Sequence, residues 1–464
     1  MRFDSIEFLA FCLVVFTLQH FLQRGQKRKW LLLVASYVFY ASWNPVFVLL
    51  LVFSTGIDFQ VGQWLGSATR HRRKILALSL VGNIGVLAFF KYGPMFQDVA
   101  ELIPALDLET AFPRRESLII PLGISFYTFQ TMSYSIDVYR KKVTPCTDLV
   151  DFSLFVTFFP QLIAGPVVRA SSFIPQIKAN RLATPEQVRS GVELVGLGLI
   201  KKVVVADNLA PIADACFAQP DVYSSGTLAV GMFAFMGQIY CDFSGYSTMA
   251  RGLGRMLGFE LPRNFNYPLL AKNPIESMSG WHITMNQWFR DYVYLPLAIG
   301  RRWLRARRIV ATMVAWGLFG LWHGAAWTFM IWGLFNGLRI VIYRSTKRHL
   351  RALRDLPGSA IATRGLTLLV FSFICVIFRS RNTSIAVTYF EQLLSFTGEG
   401  RSISLGWTGF LVGLLLIHIA SKRWYEEDLM ARLGPKGRVV LVGAMAVLVT
   451  VFTGAEKPYI YFQF

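Results

Sequence analysis

The stretch IVATMVAWGLFGLWHGAAWTFMIWGLFNGLRIVIY, residues 309–343, decides the fold. It is too long for one ordinary crossing, because about 20 apolar residues already span a hydrocarbon core about 30 Å thick. Arg307 and Arg308 precede it and Arg344 and Lys347 follow it. Two crossings hinged near Trp322-His323-Gly324 keep both basic ends on one side of the membrane, whereas a single steep crossing separates them. His323 lies near the middle of the longest uncharged apolar run of the chain. An imidazole at membrane depth is expensive, so a functional role is the default reading. Gly320, Gly324, Ala325 and Ala326 let neighbouring helices approach closely, and Trp322 and Trp327 supply broad walls for a slot that takes a thin ligand. The plainer alternative is an interhelical hydrogen bond that holds a bundle together.

Working outward, the 464 residues are 54% hydrophobic with a mean hydropathy of +0.45, which excludes an ordinary soluble globule. The net charge of +20 comes from Lys and Arg divided among short loops between apolar runs. That distribution is the positive-inside pattern, with anionic lipid head groups as the counter-charge. It forms no continuous basic stripe and carries no nucleic-acid-binding motif, so no nucleic-acid partner is expected. Cys12, Cys146, Cys216, Cys241 and Cys375 are scattered without metal or redox spacing and read as small core residues. The first apolar run, residues 6–22, lacks a basic leader and a small-residue cleavage site and reads as a retained helix.

Requiring every basic loop to share one side organises the rest. Residues 30–43 and 46–62 form two crossings turned at Asn44-Pro45, with Asp58 facing protein. The acidic segment 93–117 is an outside loop. Residues 152–168, broken by Pro160, Gly165 and Pro166, read as a re-entrant segment, since broken backbone at membrane depth must be packed in protein or line a cavity. Residues 192–206 go out to a loop bearing Asp207, Asp214 and Asp221, residues 227–241 return, and residues 242–308 stay inside with a partly amphipathic stretch at 281–296. The expectation is an all-α, polytopic integral membrane protein of about 10–12 transmembrane helices, plus re-entrant and interfacial helices, with both termini outside. It forms one membrane-embedded unit: N-terminal helices at 1–117, a core with the histidines at 118–345, and C-terminal helices at 346–464.

Of the six histidines, His71 and His349 lie in basic loops, and His20 and His418 sit near helix ends as interfacial rings. His282 and His323 remain. A neutral imidazole in an apolar slot is available as a base and takes a proton from a hydroxyl. Metalloprotease, phosphate-loop, nucleophile-elbow and dinucleotide signatures are missing, and no metal-ligand spacing occurs.

Residues 281–284 (Trp-His-Ile-Thr), 288–296 (Trp-Phe-Arg-Asp-Tyr-Val-Tyr-Leu-Pro) and 321–329 (Leu-Trp-His-Gly-Ala-Ala-Trp-Thr-Phe) together resemble the paired-histidine signature of the membrane-bound O-acyltransferases. The resemblance extends to residues 159–166, 242–247 and 459–464, and is nearest to the bacterial branch that O-acetylates exopolysaccharides such as alginate. It implies that His323 is the catalytic histidine and His282 the second, more cytoplasmic one. Trp281, Trp322, Trp327, Arg290, Asp291 and Tyr294 become substrate-binding candidates, with Arg290 and Asp291 also readable as a buried structural pair. The chain departs from the family where Ser277, Met278, Ser279 and Gly280 replace a basic lead into Trp281, and where Thr248 replaces an acid.

The resemblance further implies acetyl-CoA or another acyl thioester as donor substrate, with no permanently bound cofactor. The expected partners are membrane lipids, the thioester donor, and a periplasmic or membrane-anchored acetyltransferase that meets the polymer. The expected location is the bacterial inner membrane. The reading needs a His323 ring that is reachable from both sides of the bilayer. D-alanyl transfer from a carrier protein, or passive conduction of an acyl species, are the rival functions.

Overall fold

A computed structural model describes residues 1–22, 25–92, 120–299, 304–349, 356–423, 432–453 and 459–460. The acidic segment at 93–117 lies outside the described residues. The described chain is helical, with one isolated bridge between Tyr223 and Arg401 as its only extended pairing. Val46–Ser67, Arg72–Tyr92, Ser359–Arg379 and Pro435–Phe452 are each long and apolar enough to cross a membrane, and Ile6–Phe21 and Gly406–Lys422 are shorter apolar helices. The protein is an all-α integral membrane protein. Two compact units divide it, one of residues 1–198 with 246–262 and one of residues 199–245 with 263–464.

The first unit begins with α1 (Ile6–Phe21), α2 (Gln26–Ala41), α3 (Val46–Ser67) and α4 (Arg72–Leu87). The turn between α2 and α3 falls at Asn44-Pro45, where the Asn44 side chain accepts from the Val46 amide at 3.0 Å. On α3, Leu51, Thr55, Asp58, Gly62 and Leu65 are buried at helical spacing, whereas Val46, Leu49, Val52 and Phe53 are exposed. That division is how an apolar helix presents one face to protein and the other to lipid. Asp58 is fully buried and accepts from Ser79 Oγ (2.6 Å), Asn83 Nδ2 (2.8 Å) and Ser135 Oγ (3.1 Å).

Some of the basic residues that flank the apolar runs are internal ties. Arg28 is fully buried within α2 and donates to Asn180 and to the Leu257 carbonyl. Arg72 donates to the carbonyls of Ala68 (3.3 Å), Val138 (3.2 Å) and Tyr139 (2.9 Å), closing the C-terminal ends of α3 and of α5 (Ile124–Tyr139). The re-entrant reading of 152–168 corresponds to α6 (Leu149–Thr157), a break at Phe158, one turn at Phe159–Leu162 and non-helical backbone beyond it, with residues 152–168 buried throughout.

Chain 185–218 departs from expectation. The loop meant to carry Asp207 and Asp214 is helix: α7 (Ala170–Ala179) is followed by α8 (Pro185–Leu199), a π-helical turn at Ile200–Ala206, and α9 (Asp207–Ala218) without interruption. Likewise α10 (Ser225–Met256) runs straight through Asp242, where the sequence suggests an exit. At 32 residues it is about 48 Å long. Both acids stay in helix for the same reason: Lys202 Nζ lies 2.7 Å from Asp242 and 2.9 Å from Asp207, and a paired carboxylate survives inside a bundle where a lone one does not.

The second unit holds α11 (Pro274–Gly280), α12 (Ile283–Phe289), α13 (Leu304–His323), α14 (Trp327–Thr346), α15 (Ser359–Arg379), α16 (Thr383–Leu394), α17 (Leu405–Arg423) and α18 (Pro435–Phe452). The opening stretch is two helices, as the flanking charges demand, with the break at residues 324–326. A Cβ on Gly320 would stand 2.2 Å from the Phe329 carbonyl oxygen, and one on Gly333 would stand 2.2 Å from that of Trp316. Those two glycines let α13 and α14 close backbone against backbone. On α18 only Met445 is buried, and its exposed valines present a lipid-facing surface.

Candidate active site

His323 is the last residue of α13, at the break that makes the hairpin. Gly324 follows it, and a Cβ there would meet the Phe329 ring at 2.2 Å, so any side chain at this turn would have to displace that ring. The ring is buried at 6% exposure. Around it stand Trp322 (ring centroids 4.7 Å), Phe378 (5.0 Å), Trp332 (5.1 Å) and Phe319 (5.3 Å). One side faces a cavity of about 20 Å³ whose walls include Ile239, Phe243, Trp281, Trp332, Phe378 and Ile460. A space of that size takes one water molecule. It is smaller than the slot expected from the sequence, and with the ring buried the described residues do not display the access from both sides of the bilayer that the sequence reading asks for; anything larger than water fits only when these side chains move.

His282 is fully buried between α11 and α12, in a left-handed backbone conformation with φ 43°. A non-glycine residue holds that conformation at a cost and stays there only when its surroundings fix it. Two asparagines do so. Asn264 accepts from the Thr284 amide (3.2 Å) and hydroxyl (2.9 Å), and its own carbonyl accepts from the Ile283 amide (2.8 Å). Asn286 Nδ2 donates to the Trp281 carbonyl at 2.5 Å and lies 3.3 Å from that of His282. Neither asparagine stands out in the sequence, because each acts through backbone groups brought close by folding. The His282 ring meets Phe243 edge-on at 4.6 Å and Trp322 at 5.5 Å. Burial lowers its pKa to about 3, so the imidazole is neutral across the physiological range.

Trp322 and Phe319, stacked at 5.7 Å, therefore contact both histidine rings. Trp281 joins the cavity wall and packs at 5.3 Å against both Phe265 and Phe371. The atypical lead at 277–280 fits closely, since a Cβ on Gly280 would stand 2.7 Å from the Asn266 carbonyl oxygen.

Other candidates fall elsewhere. Trp327 is 42% exposed and is not part of the cavity wall. Arg290 and Asp291 pair at 2.8 Å, but their side chains are 60% and 32% exposed, which overturns the buried-pair reading. They sit on a π-helical turn, Arg290–Tyr294, none of whose residues is buried. Tyr294 packs under the Arg344 guanidinium at 5.9 Å. His418, expected as an interfacial ring, packs 5.1 Å from both Tyr240 and Tyr267.

The fold and the site define a helical membrane protein with a histidine at a buried aromatic cavity and a second histidine behind the same tryptophan. The chain matches the membrane-bound O-acyltransferase family over residues 9–380. It belongs to that family and is an acyltransferase. It is 39% identical over 407 residues to the probable alginate O-acetylase AlgI of Azotobacter vinelandii, covering 85% of this chain and 78% of that protein. With the Pseudomonas aeruginosa protein of the same description it shares 37% over 450 residues, covering 93% and 84%. With the peptidoglycan O-acetyltransferase of Helicobacter pylori it shares 32% over 418 residues, covering 82% and 77%.

Proposed function

We propose that this protein moves an acetyl group from a cytosolic thioester, acetyl-CoA, through the bacterial inner membrane for O-acetylation of an extracytoplasmic polysaccharide, with His323 as the general base. The observation that carries this reading is the position of His323, at a helix break and on the wall of a buried cavity. The acceptor hydroxyl gives its proton to the imidazole as its oxygen attacks the thioester carbonyl. A carbon–oxygen bond forms, the carbon–sulfur bond breaks, and the proton passes to the departing thiolate. Because His323 ends α13, the carbonyl end of that helix favours the positive charge that appears on the ring during transfer.

The charged nucleotide of the donor stays on the cytoplasmic side among the basic loops, and its pantetheine arm, roughly 15–20 Å long, reaches about half of the hydrocarbon core. His282 holds the donor through a neutral ring, and Trp281 and Trp322 flank its path. Arg290, Asp291 and Tyr294, being accessible, serve the donor before it enters. The acceptor is brought by a periplasmic or membrane-anchored acetyltransferase partner.

The test compares ester-linked acyl groups on surface polymers from cells carrying the native protein, His323→Ala, or no copy, by mass spectrometry, with membrane levels of the protein followed in parallel. An acetyl ester lost in His323→Ala at unchanged protein level supports the proposal. A D-alanyl mass in place of acetyl overturns the donor assignment. Full acetylation by His323→Ala overturns the catalytic assignment.

A further inference from the structure

The second unit contains a buried ionic cluster that the transfer chemistry does not use. Lys202 and Asp242, paired at 2.7 Å, have side chains only 1% and 4% exposed. Lys202 sits on the π-helical turn Ile200–Ala206. Such a turn inserts one residue into a helix and is often kept for function. One inserted residue rotates the chain on one side relative to the other by about 100°, and in this register Lys202 meets Asp242. The second Asp242 oxygen accepts from the backbone amide of Ile460 at 3.1 Å, and Lys202 Nζ lies 4.5 Å from the centre of the Tyr459 ring. Ile460 and Phe243, the residue after Asp242, both line the cavity at His323.

We infer that Lys202 and Asp242 are positioning residues that seat Tyr459 and Ile460 as one wall of the His323 cavity, and that this seat fixes the shape of the reaction space. The consequence for transfer rests on the catalytic reading of His323 given above; the seat itself does not. Lys202 orients the Asp242 carboxylate and covers Tyr459, and the carboxylate anchors the chain by one amide. A chain held at one backbone amide keeps its side chain in register with the cavity, whereas an apolar contact alone leaves it free to slide.

Cys375 also lines this cavity and is buried, so its thiol reports on the wall. Cys216 is buried in the same unit against the Thr227 carbonyl, outside the lining, and reports on general loosening. The test uses the full-length protein in detergent and two double variants, Lys202→Met with Asp242→Asn and Lys202→Met with Asp242→Ala. Both lack the buried ion pair and leave Asp207 in the same state, but only the first keeps an acceptor for the Ile460 amide. N-ethylmaleimide labelling of each cysteine is followed by peptide mass mapping.

The expected result is Cys375 labelling about tenfold faster in the Ala pair than in the Asn pair, with Cys216 unchanged in both. A fall of about 10²-fold in kcat for transfer should accompany it, with little change in KM. Equal Cys375 labelling in the two pairs overturns the inference, as does a parallel rise at Cys216. If labelling separates the pairs while transfer does not, the seat stands and the catalytic reading of the cavity falls.

Discussion

Asp58 and His323 are both polar groups buried among apolar helices, one in each compact unit, and their surroundings differ in kind. Asp58 receives three donors from Ser79, Asn83 and Ser135 within 3.1 Å, and its carboxylate is occupied by neighbours. His323 is walled by aromatic rings and faces a cavity. The contrast separates two uses of a polar group in lipid. Where adjacent helices supply its partners, the group fastens them together. Where space adjoins it, the group also lines a cavity, and a polar group on a cavity wall in lipid is a candidate for function.

The strongest challenge to that contrast is His323→Ala, expected to reduce transfer by about 10²–10⁴-fold, measured as acyl ester formed per amount of membrane-inserted protein. If Asp58→Leu reduced transfer per folded molecule as steeply, the distinction would collapse. Next in size is Gly333→Ala, which drives a Cβ into the Trp316 carbonyl and should cost on the order of 3 kcal/mol, read as a fall in Tm. Gly85→Ala is its control, since nothing lies within 4 Å of a Cβ there. Asp58→Leu removes the acceptor of three donors and should cost about 1–3 kcal/mol of stability. Asp58→Asn keeps an acceptor oxygen and should cost less in the same melting experiment.

The smallest effect expected is one of pH. His282 binds a proton in the unfolded chain at an ordinary histidine pKa of 6.5, but in the folded protein only near 3. As the pH falls through 6.5 the unfolded state therefore takes up the extra proton, and stability falls from near pH 7.5 down towards 3 and is level above about 7.5. Between pH 7.5 and 6.0 this amounts to about 1 kcal/mol, to be read from Tm against pH in native protein and in His282→Gln, whose curve should be flatter.

Much of the helical frame was legible from the sequence because lipid imposes a coarse rule. The hairpin at residues 324–326 and the turn at Asn44-Pro45 follow from the length of the apolar runs and the side on which the charges must lie. The inward face of Asp58 follows from the cost of a carboxylate in hydrocarbon. The course of α9 and α10 was not legible. Asp207, Asp214 and Asp242 look like loop residues when each is priced alone. Asp207 and Asp242 belong in helix because Lys202 meets them, and Asp214 pairs with Arg379 at 2.7 Å. Arg290 and Asp291 failed in the opposite sense, since adjacency in sequence predicted their pairing but not their exposure.

The sequence by itself determined that this is a helical membrane protein and that it carries the paired-histidine signature of an acyltransferase family, and it favoured a turn at His323 over a single steep crossing. Hydropathy, charge placement and motif are all local, so each survives in a linear string. Only the tertiary structure decided that Trp322 contacts both histidines, that Asn264 and Asn286 fix His282, and that Ile460 closes a cavity through Asp242. Those relations join residues separated by tens to hundreds of positions, and they exist only after the helices have packed.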